Sequence, residues 1–281
     1  LDELSSGLAE INASGDLAKC WSLHHNRHHA LANSYLARRP MVGGRGISRG
    51  RSRVSGGATS QTASRLLLAM DKLGERVPPG CSIPGAVAVV QSLSLLIKVD
   101  FWIRNPDYLA DELLTEIEQQ RQPPELLSRV ATMIGGKAPA LHRYPMAKYL
   151  YGAYERPDNA LALLASLKLI RHVRTSEAAR ARRDYYLLQK GRDAAQAMRA
   201  EVPVLAWYDD QADAVGLIPE TKMGSLTRRR QYEQPEYDQT PWGAIIPEIT
   251  DRVRERALRI AGRFDHPIDL EPRAVAAGNP L

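Results

Sequence analysis

Apolar residues along the chain recur at helical spacing more often than they alternate, which predicts a mainly α protein. Leu4, Leu8 and Ile11 start the pattern. Ser14-Gly15-Asp16 breaks it and offers an N-cap to a second helix over 17–38, with a seam of Leu17, Trp21, His24, His28, Leu31 and Tyr35. From 40 to 57 the chain is Gly, Arg and Ser without periodicity, a basic loop. A helix follows over 62–75 through Leu66, Leu67, Met70 and Leu73, and Val77-Pro78-Pro79-Gly80 closes it. The apolar stretch 86–101 suits a helix or a pair of strands, and its length favours a helix. Residues 107–120 are amphipathic, Gln122-Pro123-Pro124 breaks them, and 125–134 form another helix before Gly135-Gly136.

Between 141 and 200 the period switches from helix to strand and back. A short helix is expected at 146–154. Pro157-Asp158-Asn159 then turns and caps a second helix whose face is Leu161, Leu164, Leu167 and Ile170. Ile170-Arg171-His172-Val173 leads into a hairpin and Arg183 to Leu188 leads out, with 176–182 as its tip. Gly191 precedes a last helix through Ala194, Ala195 and Met198. After residue 201 the low periodicity predicts an extended arm, until Pro247 opens an amphipathic helix with Ile249, Val253, Ala257, Ile260 and Phe264 on one side. The other side carries Arg252, Arg256, Arg259 and Arg263. Glu248 and Glu255 stand four residues before Arg252 and Arg259, the spacing of a paired, solvated face. The linear division is therefore a helical domain at 1–121, a second domain at 122–201, and an arm with its helix at 202–281.

The chain of 281 residues is 44% hydrophobic and 25% charged, enough for two modest cores. Its longest apolar run, 83–103, is interrupted by Gln91, Lys98 and Asp100, which argues against a membrane span. No basic region precedes an early apolar stretch, so no secretory signal is expected, and two cysteines, Cys20 and Cys81, suit a reducing cytoplasm. The net charge of +6 becomes informative once it is located. Residues 38–65 hold seven arginines and no acid (+7), residues 171–192 carry +5, and the remainder sums to −6. Such concentration is arranged to hold a polyanion, since each Lys or Arg beside a phosphate releases a condensed counterion. Arg45, Arg49, Arg51 and Arg53 lie in the Gly-rich loop, which either threads along nucleic acid or is a solvated linker.

The Leu161, Leu164, Leu167, Ile170 run, the basic hairpin after it and the Tyr185-Tyr186 strand resemble the winged helix-turn-helix domains of the MarR and PadR type. The resemblance covers about sixty residues, 141–200. It implies a winged-helix domain with a small β-hairpin wing, a recognition helix at 157–169, and wing arginines at 171–183 that reach phosphates or the minor groove. The residues so implied are Arg156, Asn159 and Ser166 on the helix, and Arg171, Arg174, Arg180, Arg182 and Arg183 on the wing. A homodimer is implied by the resemblance alone. The exposed face of the helix offers Asp158, Asn159, Ala162 and Ser166, with Arg156 at its start, so base readout is thin.

Other chemistry is weaker. Cys20, His24 and His28 share one helix face, with His25 and His29 as a second pair, but a closed zinc site needs four ligands and none stands nearby; no metal is expected. Gly43-Gly44-Arg45-Gly46 lacks the Gly-Lys-Ser/Thr of a phosphate loop. No motif for covalent or metal-assisted catalysis occurs, so the sequence predicts no enzyme and no cofactor. The expectation is a cytoplasmic DNA-binding transcriptional regulator that favours duplex DNA over RNA and makes no membrane contact. The alternative is a non-catalytic subunit of a larger nucleoprotein assembly, in which the winged helix contacts protein.

Overall fold

The computed structural model describes residues 56–135, 146–149, 152–153, 157–177, 180–219 and 224–270. The expected helices before residue 39 and the basic loop with Arg45, Arg49, Arg51 and Arg53 lie outside the described residues, except for the loop's last positions, Gly56 and Gly57. The described chain is mainly helical, with one small four-stranded antiparallel sheet. It divides into two compact units, one drawn from Leu1–Val89, Arg156–Val173 and Tyr185–Leu205, the other from Val90–Glu155, Arg174–Asp184 and Ala206–Leu281. These units cut across the linear boundaries at 121 and 201. The physical reason is that the helix Gly56–Leu73 packs on two helices far later in the chain, Asp158–Ser166 and Gln189–Glu201.

In the first unit α1 (Gly56–Leu73) is buried along its whole middle, Gln61 to Met70. It packs against α5 (Asp158–Ser166) and α6 (Gln189–Glu201), and Asp71 ties it to α6 through Arg192 at 3.0 Å and Arg199 at 2.7 Å. Gly74 follows at once, where a Cβ would lie 2.5 Å from the Met70 carbonyl oxygen. That close approach lets β1 (Glu75–Arg76) turn back and pair with β2 (Ala86–Gln91), Glu75 opposite Val89. The sheet order is β1-β2-β6-β5, with β5 at Ile170–Glu177 and β6 at Arg180–Leu188. At the junction of β6 and α6, a Cβ on Gly191 would stand 2.2 Å from the Leu169 carbonyl oxygen, so glycine is required there.

The second unit is a helical cluster built on α2 (Leu93–Arg104) and α3 (Pro106–Glu118). A 3-10 turn at Pro124–Leu126 leads into α4 (Leu127–Ile134), which packs on α3. Another at Pro203–Leu205 precedes α7 (Ala206–Gly216), followed by α8 (Gly224–Glu233), α9 (Pro235–Gln239) and α10 (Thr250–Arg263). α7 and α8 pack on α2, and α10 packs on α3 and α4. Phe101 centres the aromatic core, edge-on to Tyr108 at 5.1 Å and to Tyr237 at 5.2 Å. Among the described residues, no helix is long and apolar enough to cross a membrane.

Four expectations are corrected. The stretch 86–101 is neither one helix nor two strands: β2 occupies its first six residues and α2 begins at Leu93. Ser92 makes the break, with φ 102° and an Oγ that caps the Leu95 amide. The helix expected at 146–154 is, in its described part, a short antiparallel pair of β3 (Lys148–Tyr149) with β4 (Gly152–Ala153), steadied by Ala147 bridging to Ile245. The extended arm after 201 is three helices, α7 to α9. The apolar face of α10 is buried from Ile249 to Ile260 as its spacing predicts, with Phe264 half-buried, but Arg252 and Arg256 are not a solvated stripe; they reach acids of α3 and α9.

Candidate nucleic-acid interface

Helix α5 holds itself in place with Ala160, Leu161 and Leu164, all buried, and leaves Asp158, Asn159, Ala162 and Ser166 exposed. The Ser166 hydroxyl donates to the Leu163 carbonyl at 2.8 Å, so its oxygen remains free only to accept. The helix ends on Lys168 with φ 56°. Lys168 N–H donates to the Ala165 carbonyl at 3.0 Å and Leu169 N–H to the Leu164 carbonyl at 3.0 Å, the crossed pair of a Schellman turn. Leu169 is thereby buried beside Leu164 and the chain enters β5 directly.

On the hairpin the apolar positions point inward and the basic ones outward. Ile170, Tyr185 and Leu187 are buried, while Arg171, His172, Arg174 and Arg183 are exposed. The His172 ring lies 6.1 Å from that of Tyr185. No ion pair among the described residues engages Arg171, Arg174 or Arg183. Asn159, Ser166 and Arg171 therefore share the surface of the first unit, and Lys168 and His172, which the sequence reading did not select, join them. Arg174 and Arg183 belong to the outer hairpin, grouped with the second unit. The backbones of Arg180 and Arg182 lie in β6, but their side chains, together with Arg156, Arg45, Arg49, Arg51 and Arg53, fall outside the described residues. The strands extend further than expected, to Glu177 and from Arg180.

The other concentration of charge is internal to the second unit. Arg230 on α8, 5% exposed, meets Glu112 at 2.7 Å and Glu116 at 2.5 Å on α3; Arg121 also meets Glu116, at 2.5 Å. Gln234 donates to Glu112 at 3.2 Å and accepts from Arg252 at 2.8 Å. Arg256 bridges Asp111 at 2.8 Å and Glu118 at 2.5 Å. Burial pushes the Glu112 carboxyl up, with Arg230 opposing. Burial also acts on Glu116, but the hydrogen bonds and charges of Arg121 and Arg230 overcome it and hold that carboxyl below its usual range. Arg252 also meets Glu236 of α9 at 2.8 Å, so five carboxylates face four guanidiniums and the cluster ties α3 to α8, α9 and α10.

Beside it, burial and then the Arg228 charge lower the Lys98 amine to about 8. Among the described residues no group of three or more His, Cys, Asp or Glu side chains is placed to hold a metal ion. Cys20, His24 and His28 lie outside them. No protein-family model, curated protein or solved structure matches the chain.

Proposed function

We propose that the chain is a nucleic-acid-binding protein, specifically a winged-helix DNA-binding transcriptional regulator, in which α5 faces duplex DNA and the hairpin arginines hold its phosphates. The observation that carries this reading is the direct passage from α5, through the Lys168 turn, into a hairpin with buried Ile170 and Tyr185 and exposed Arg171, Arg174 and Arg183. The element order of helix, hairpin and helix supports it, as does a sheet in which β6 lies between β2 and β5. Arginine forks suit phosphate oxygens, and the short polar side chains Asn159 and Ser166 suit a base edge or the backbone. Because the α5 face carries a carboxylate and few donors, affinity rests mainly on phosphate contacts and sequence discrimination is modest.

Replacing Arg180, Arg182 and Arg183 with Ala tests the reading. Binding to duplexes of unrelated sequence should weaken together, and the slope of log affinity against log salt should flatten by about 3, roughly 0.9 for each lost phosphate contact. An unchanged slope overturns it. A second reading, the assembly subunit, is favoured by the exposed Asp158 at the start of α5, which repels a phosphate. Under that reading the isolated chain binds duplex weakly and gains affinity only with its partners.

A further inference from the structure

Within the second unit, α4 and α7 both rest on α3 and leave a cleft of about 470 Å³ between them. Helical spacing turns Arg129 and Met133 of α4, and Trp207, Asp210 and Gln211 of α7, towards it, with Asp213 at its edge. Met133 is buried and Trp207 half-buried, which gives the cleft an apolar wall. Arg129 reaches across and donates to the backbone carbonyl of Asp210, a bond that leaves the Asp210 carboxylate out. One guanidinium and two carboxylates make the lining negative by one charge.

The Gln211 side chain supplies the second observation. It lines the cleft, is 4% exposed, and its Oε1 has no hydrogen-bond partner among the described residues. A buried amide oxygen is costly to leave unmet, and an N–H donor arriving in the cleft would satisfy it. Net negative charge, an aromatic wall and an unmet acceptor are complementary to a cation that donates hydrogen bonds.

We propose that this cleft binds a small protonated amine with an apolar body. The ammonium group donates to Gln211 Oε1 and sits near the Asp210 and Asp213 carboxylates, while the hydrocarbon part covers Trp207 and Met133. The volume suits a molecule of one ring and a short chain. The inference stands on residues of the second unit alone and does not depend on the nucleic-acid reading.

Calorimetric titration of the full chain with phenethylamine, 2-phenylethanol and phenylacetate tests it, because the three probes share a ring and differ in charge. The amine should bind saturably with a Kd below about 1 mM, and the alcohol and the acid should not bind in that range. Gln211→Leu should weaken the amine about tenfold. Asp210→Asn sits on an exposed position and keeps the carbonyl that Arg129 uses, so it folds as the parent does and should weaken the amine about threefold. If Gln211→Leu does not fold, the Asp210→Asn titration decides. No saturable amine binding, equal binding of all three probes, or an amine affinity unchanged in the folded variants overturns the proposal.

Discussion

Three helices end on a residue in the left-handed region that is not glycine: Gln120 after α3, Lys168 after α5 and Asp265 after α10, with φ of 56°, 56° and 50°. In each the following amide closes back over the last turn: Arg121 to the Glu116 carbonyl, Leu169 to Leu164, His266 to Ala261. A side chain in that conformation is strained, and glycine relieves it. Lys168→Gly should therefore stabilise the fold by about 0.5–1 kcal/mol in a urea melt, although it removes a charge from the proposed interface. At α5 the residue Lys168 also explains why the helix end is hard to read from the sequence. The strongest stop signal is a glycine after the last apolar position, and here that signal is absent, so α5 seemed to run on to Ile170. Lys98 gives a second test at this scale. Its folded value of about 8 lies below the ordinary 10.5, so the unfolded chain binds more protons between those values and stability rises with pH across that window. Lys98→Met should flatten that rise relative to the parent, seen in melts at pH 7 through 10.5; identical pH profiles would show that the amine is not depressed.

Element by element, what the sequence made legible were the segments whose apolar residues face one way. α10 and the β5–β6 hairpin follow their periods, and α10 buries Val253, Ala257 and Ile260 as spaced. Illegible were the segments that bury polar side chains. Among the described side chains of α8 the inward ones are Thr227, Arg230 and Gln231, which a hydrophobic pattern does not register, so the stretch resembles an arm. Glu112 and Glu116 on α3 stand at helical spacing, and nothing in their own segment shows that Arg230 is placed against them. At 86–104 the β-branched run Ala86-Val87-Ala88-Val89-Val90 is claimed by sheet pairing, a contact that no local window contains. The buried ion cluster predicts a large and specific loss. Arg230→Met leaves two carboxylates of α3 short of their partner and should cost about 3–5 kcal/mol in unfolding free energy. A loss near zero would mean that α8 is held by other contacts.

For the whole molecule, the first unit is assembled from segments on either side of an inserted stretch. β2 ends at residue 91 and α5 begins at 158, yet strands β2 and β6 are neighbours in one sheet. Periodicity reports each element's faces and not which distant element covers them, which is why a linear division at 121 and 201 was the natural expectation. Charge placement, by contrast, was partly visible from the start: five of the seven basic residues at 171–192 lie on the hairpin, with Arg171, Arg174 and Arg183 exposed, while Lys190 and Arg192 lie in α6 and Arg192 pairs with Asp71. Fluorescence anisotropy of the full chain with a random duplex and with single-stranded RNA, each across a salt series, decides whether the proposed hairpin arginines hold duplex DNA through its phosphates. Phosphate contacts should give tighter binding to the duplex, with affinity falling steeply and linearly in log salt. Weak binding to both, or a duplex affinity indifferent to salt, would contradict that role for the arginines.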